Sequence, residues 1–187
     1  MNGGSLRQSI AEVVTEVASL DQAGNTLVRN RSECRFGYRS SLFQTEDEWV
    51  VSARLKMVSA LGSATVRRRM LAILGDRRRK FPTRMPSCGS TFISDPAVYA
   101  ELGPPGAIVE RFGFKGRCLG QAQVSPLHAN FIVNRGGATA ADVLALIAVI
   151  QRTVQAQTGH LLRAEARYVH PLGEVVPADR AAALYGR

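Results

Sequence analysis

The chain has 187 residues, 45% hydrophobic and 21% charged, the composition of one ordinary globular domain or two small ones. No apolar run approaches a membrane span, and the opening MNGGSLRQSI lacks the apolar stretch of a secretory signal, so a soluble cytoplasmic protein with no membrane contact is expected. The formal net charge is +9, and Arg67–Lys80 (RRRMLAILGDRRRK) holds seven basic residues against one acidic one; such a stretch attracts phosphate on a nucleic acid or a nucleotide, or is only a solvated helix face.

In chain order, residues 10–20 show β-branched alternation, Asp21–Asn25 is a turn, and Thr26-Leu27-Val28 resumes a strand, which predicts a hairpin with no obvious partner strand. Asn2-Gly3-Gly4 reads as a turn between elements, as though the chain began in mid-fold and Met1 were internal to a longer protein. Trp49–Met57 alternates with Trp49, Val51, Ala53, Leu55 and Met57 on one face, a strand half buried in a sheet. Val66, Met70, Ile73 and Leu74 recur at helical spacing, predicting an amphipathic helix from Ser63 to Arg79. A loop over 81–90 follows, and Pro104-Pro105 opens a short helix over Gly106–Phe112. The clearest helix is Thr139–Gln157: Thr139 and Asp142 have capping-box spacing, Val143, Leu146, Ile147, Ile150 and Val154 form one stripe, and Gly159 stands at the C-terminal cap. Asn130–Asn134 before it and Leu162–Val169 after it alternate as strands, which predicts a right-handed crossover unit.

Cys34, Cys88 and Cys118 are odd in number and form no C-x-x-C pair, so neither a disulfide framework nor a metal site is indicated. Four places hold polar groups out of keeping with their surroundings: Tyr38-Arg39, Gly89-Ser90, His128-Ala129-Asn130, and Glu165 between Ala164 and Ala166, whose small side chains leave room beside it. Each has a plain alternative as a surface pair, a turn or the solvent face of a strand. In MPSCGSTF, residues 85–92, Ser87, Cys88 and Ser90 all compete for a chemical role.

The order of these blocks decides more than any one of them. YRSSLF, KFPTRMPSCGSTF, GFKGRCLGQAQVSPLHANFIVN, TAADVLALIAVIQRTV and LRAEARYV, from Asn2 to about Val176, closely resemble the UDP-N-acetylenolpyruvoylglucosamine reductase (UDP-N-acetylmuramate dehydrogenase) family. The resemblance implies an α+β fold: residues 1–60 as the end of a flavin-binding domain, 61–178 as the UDP-sugar substrate domain, and 179–187 as a tail. It implies a cytoplasmic oxidoreductase of peptidoglycan synthesis. NADPH reduces FAD, hydride passes to carbon 3 of the enolpyruvyl ether, and carbon 2 is protonated.

Matched position by position, the resemblance makes Arg39 the stabiliser of the developing charge, Ser90 the proton donor and Glu165 the partner of the arginine. It places Tyr38, Lys80, Gly89 and Asn130 against substrate, and Asn2 and Gly3 against the flavin. The basic segment then suits the phosphates of a UDP-sugar and NADPH rather than nucleic acid, since no aromatic residue interleaves its charges. Cys88 becomes a small packing residue. Two departures are visible. The glycine-rich pyrophosphate loop of the family has no counterpart in these 187 residues, and Ile93-Ser94-Asp95-Pro96 is one residue longer than the family pattern and lacks its lysine. The alternative is a flavin-free UDP-sugar-binding or regulatory paralogue.

Overall fold

The computed structural model describes residues 2–5, 8–57 and 62–184; Met1 and the last three residues of the expected tail lie outside them. The chain divides into two compact units, residues 1–65 and 66–187.

In the first unit Gly4–Ser5 (β1) and Gln8–Ser9 (β2) pair antiparallel. Val14–Leu20 (β3) and Thr26–Asn30 (β4) form the expected hairpin. Its first strand starts at Val14 rather than Ile10, because Glu12 accepts the Ser9 N–H at 2.7 Å and closes a 3-10 turn over Ile10–Glu12. The hairpin does have a partner: Trp49–Leu55 (β5) pairs with the free side of β3, giving the order β4-β3-β5. Val14, Val17 and Cys34 are its buried core, with Phe36 and Phe43 packed against them. β5 is not half buried as expected: all seven residues are exposed, Trp49 at 62%. Alternation fixes which residues share a face, not whether a second layer covers that face.

One ion pair ties the strands together. Glu48, just before β5, receives the Arg29 guanidinium of β4 and the Ser19 hydroxyl of β3, the latter at 2.6 Å. Arg29 first, and Ser19 second, hold the Glu48 carboxyl below its ordinary range.

Ser63–Lys80 (α1), which belongs to the second unit from Val66 on, has nearly the predicted extent but buries none of its residues; Met70 is 64% exposed. The expected loop contains a strand, Ser87–Ser90 (β6). Pro96–Leu102 (α2) is a helix absent from the sequence reading, although its signal was there: Asp95 accepts the Ala97 N–H at 3.0 Å and Pro96 takes the first turn. Pro105–Arg111 (α3) is the short helix expected after Pro104. Cys118–Leu119 (β7), Ala122–Val124 (β8) and Phe131–Asn134 (β9) complete an antiparallel sheet of order β6-β9-β8-β7.

Ala140–Thr158 (α4) is the spine of the core. The Thr139 hydroxyl accepts the Asp142 N–H at 3.1 Å, Asp142 accepts the Thr139 N–H at 3.0 Å, and Gly159 closes the other end at φ 75°. Ile147, Ile150 and Val154 are fully buried with Phe92, Ile108, Phe114 and Leu162.

The strand expected over 162–169 is shorter. Arg167–Val169 (β10) pairs only with Val175–Pro177 (β11), and residues 162–166 meet the sheet region through a single antiparallel bridge, Phe92 to Ala164. β9 and the 164–166 segment therefore run the same way, each antiparallel to the 90–92 segment between them. The crossover joins next-but-one neighbours rather than adjacent strands. Beyond residue 178, where a tail was expected, Ala178–Ala182 (α5) buries Ala178, Ala181 and Ala182 in the core. No described helix is long and apolar enough to cross a membrane.

Two outcomes test this packing. A depressed folded-state pKa means that Glu48 stabilises the first unit fully above its unfolded value near 4.3, and that the contribution is lost as pH falls through the folded value. Acid unfolding followed by fluorescence of Trp49, the single tryptophan, should lose this pH dependence below pH 4.3 in Glu48→Gln. In the second unit, Gln151 donates to the buried Leu162 carbonyl at 2.5 Å. Gln151→Leu removes that donor and should cost about 1–3 kcal/mol in urea denaturation.

Candidate functional site in the second unit

The site is built on Ser90-Thr91-Phe92. The register between β6 and β9 shifts between Ser87 and Ser90, and Gly89 lies in the bulge at φ 75°. A Cβ at Gly89 would meet nothing within 4 Å, so the backbone angle, not crowding, calls for glycine. Thr91 is buried and bonded on both sides: its N–H donates to the Asn130 carbonyl at 2.8 Å, and its carbonyl accepts from the N–H groups of Glu165 at 2.8 Å and Ala166 at 3.3 Å. This brings Ser90 and Glu165, 75 positions apart, onto neighbouring segments.

Asn130 closes the arrangement. Its Oδ1 accepts the Phe92 N–H at 2.9 Å and its Nδ2 donates to the Phe92 carbonyl at 3.0 Å. Expected against substrate, it is 7% exposed, and its amide grips the strand that carries Ser90. His128 supports it: Nδ1 accepts the Asn130 N–H at 3.2 Å, and the ring stacks on Phe81 at 5.1 Å with Phe131 edge-on at 5.2 Å. Burial pushes the His128 pKa down, which keeps Nδ1 an acceptor.

Glu165 is half-buried, and its small neighbours do not make room beside it: Ala164 and Ala166 are buried in the core, on the opposite side of the segment by pleat alternation. Lys80, expected on a phosphate, is exposed at the end of α1 and pairs with Asp76 at 2.9 Å. Cys88 is exposed rather than packed, its Sγ 3.8 Å from the Thr91 hydroxyl. Among the described residues no three His, Cys, Asp or Glu are grouped to hold a metal ion.

The remaining candidates belong to the first unit. Tyr38 and Arg39 form the tip of a turn in which the Gly37 N–H donates to the Ser40 carbonyl at 3.0 Å. Arg39 has φ 51°, a left-handed angle that glycine or asparagine normally takes, and its guanidinium lies 5.6 Å from the Tyr38 ring centre. Asn2, expected at a flavin, is 8% exposed: Nδ2 donates to the Gly37 carbonyl at 3.0 Å and Oδ1 accepts the Ala11 N–H at 3.1 Å. Gly3 is open, with nothing within 4 Å of a Cβ.

Sequence reasoning missed Thr91, whose role is carried by its backbone and leaves no side-chain signal. It also missed Asn134, whose Oδ1 accepts from the N–H groups of Gly136, Gly137 and Ala138 at 2.8–3.0 Å and shapes the loop into α4. The Asn-x-Gly-Gly pattern was its visible sign.

Residues 81–169 match the family model of the UDP-N-acetylenolpyruvoylglucosamine reductase C-terminal domain. UDP-N-acetylenolpyruvoylglucosamine reductase 1 of Corynebacterium glutamicum is 38% identical over 97% of this chain and 54% of its own length. The reductase of Methylococcus capsulatus is 39% identical over 90% of this chain and 53% of its own. The crystal structure of the reductase from Thermus caldophilus superposes with a TM-score of 0.71 at 30% identity, over 89% of this chain and 56% of that one. The chain thus spans about half the length of the curated relatives it matches. Over residues 81–169 it matches that family's C-terminal domain, and along most of its own length it is similar to these reductases.

Proposed function

We propose that this chain carries the proton-donating, substrate-side part of a reductase that converts an enolpyruvyl UDP-N-acetylglucosamine to UDP-N-acetylmuramate in peptidoglycan synthesis. The observation that supports it is the pairing of the Ser90 and Glu165 segments through the Thr91 carbonyl. Reduction of an enolpyruvyl ether leaves negative charge next to a carboxylate, and carbon 2 must then take a proton. Ser90 gives it: the Oγ–H bond breaks, a C–H bond forms at carbon 2, and solvent restores the hydroxyl proton. Glu165 binds on the carboxylate side. Asn130 and His128 act as positioning residues that hold the Ser90 strand. Arg39, Tyr38 and Lys80 carry the stabilising and substrate-binding roles that the family resemblance implies for them.

FAD and NADPH would supply the hydride in the reaction that the family resemblance implies. The described residues alone do not fit a flavin: the Asn2 amide is engaged by Gly37 and Ala11, and Gly3 offers only backbone. That observation favours a second reading, a UDP-sugar-binding protein without flavin.

Two experiments decide. Calorimetric titration of the chain with the enolpyruvyl UDP-sugar, alongside titration with FAD, should show sugar-nucleotide binding under both readings, and any flavin binding favours the first. No sugar-nucleotide binding sinks both. In flavin-loaded enzyme, Ser90→Ala should slow product formation by about 10²–10⁴ while sparing flavin reduction by NADPH. Equal loss of both half-reactions contradicts the role given to Ser90.

Acid should also loosen the site. A depressed His128 pKa means the neutral ring stabilises the fold above its unfolded value of about 6.5, and that support is lost as pH falls through the folded value. Amide exchange at Asn130 should rise in the native protein as pH falls below about 6.5, where charging of His128 competes with its bond to the Asn130 N–H. It should be insensitive to pH in that window in His128→Asn, once intrinsic exchange is corrected for.

A further inference from the structure

We propose that the first unit holds a second, separate anion site, for a phosphate-bearing small molecule, in a cleft lined by Arg31, Arg35 and Lys56. The proposal does not rest on the reductase reading, none of whose residues lines this cleft.

The cleft has a volume of about 1140 Å³, and the described residues that line it fall between Gln8 and Met57. That is ample for a mononucleotide, since small-molecule sites commonly run to about 300–1000 Å³. Among the described residues three cations and one acid, Glu12, line it, a balance of 3 − 1 = +2. Glu12 is already engaged by the Ser9 N–H. No ion pair among the described residues uses Arg31, Arg35 or Lys56. Val13, Phe36 and Met57 supply an apolar lining beside these charges. Cations beside an apolar wall suit a nucleotide; cations alone suit free phosphate.

Arg35 adds a second observation. Its φ is 47°, an angle at which a residue with a Cβ is strained by about 1–2 kcal/mol and glycine is not. The turn enforces the angle: the Arg35 N–H donates to the Ser32 carbonyl at 3.2 Å, and Asn30 Oδ1 accepts from Ser32 N at 2.9 Å and Glu33 N at 3.2 Å. An arginine therefore stands where glycine would be more stable, in the lining of a cleft of like charge. Strain retained at a charged cleft points to a bound counter-charge.

Calorimetry at low salt on the 187-residue chain, with pyrophosphate and with ADP, tests this. One equivalent of either should bind, more weakly as salt rises. Tighter ADP than pyrophosphate identifies a nucleotide as the ligand; equal affinities identify phosphate alone, and both support the site. Arg35→Gly should weaken binding at least about tenfold, the loss of one charge-assisted hydrogen bond, while the Trp49 melting point holds or rises. Arg31→Ala should weaken it similarly without altering the turn, and Arg35→Lys should retain most of it. The site is overturned if neither anion binds, if Arg35→Gly and Arg31→Ala bind as the parent does, or if binding disappears only when Arg77, Arg78 and Arg79 of α1 are changed to alanine.

Discussion

Buried backbone must be paired, and in the second unit that requirement falls on one three-residue segment. Thr91 and Phe92 are almost wholly buried, yet the ladder of β6 breaks at a glycine bulge just before them. An unpaired amide there would cost a few kcal/mol. The Asn130 side chain makes up the missing bonds: its amide has the donor and acceptor of a peptide group and meets both ends of Phe92. The 164–166 segment completes the other side through Thr91. Ser90 is thus carried on backbone held from two directions, the rigid mount that its proposed role as proton donor requires.

The first unit solves a similar problem at a turn. Arg39 adopts a left-handed angle at the tip of Gly37–Ser40, which persists only where the surroundings over-determine it. Asn2 supplies part of that constraint by holding the Gly37 carbonyl from a position 35 residues away. A residue that the family resemblance puts against a cofactor is therefore built into the support of the turn bearing the expected catalytic arginine. Arg35 makes a second left-handed arginine in the same unit, and its turn too is held by an asparagine, Asn30.

Charge along α1 is less uniform in purpose than its sequence suggests. Its last turn gathers Arg77, Arg78, Arg79 and Lys80, where cations complement the negative end of the helix dipole. Asp76 pairs with Lys80 and Arg79, and Arg77 lies 4.8 Å from the Phe81 ring that stacks on His128. The C-terminal half of the basic run thus has structural work at hand: it caps the helix and anchors the aromatic cluster behind Asn130.

What could be read from the sequence was what is encoded within a few residues. α4 is the clearest case: its capping box, apolar stripe and terminal glycine all lie within one helix, and its limits were legible to about one residue. The Asp95-Pro96 start of α2 was equally local and could have been read. The family resemblance singled out Ser90 and Glu165 as candidates, because ordered blocks survive where single residues are ambiguous. Only the tertiary structure decided what depends on distant pairing: that β5 partners β3 yet has both faces bare, that residues 162–166 run beside Thr91 instead of forming one long strand with β10, and that the Asn130 amide turns to Phe92. A hydrogen bond across 38 residues leaves no period or motif in the chain, since its partners are chosen by the packed fold and not by their neighbours in sequence.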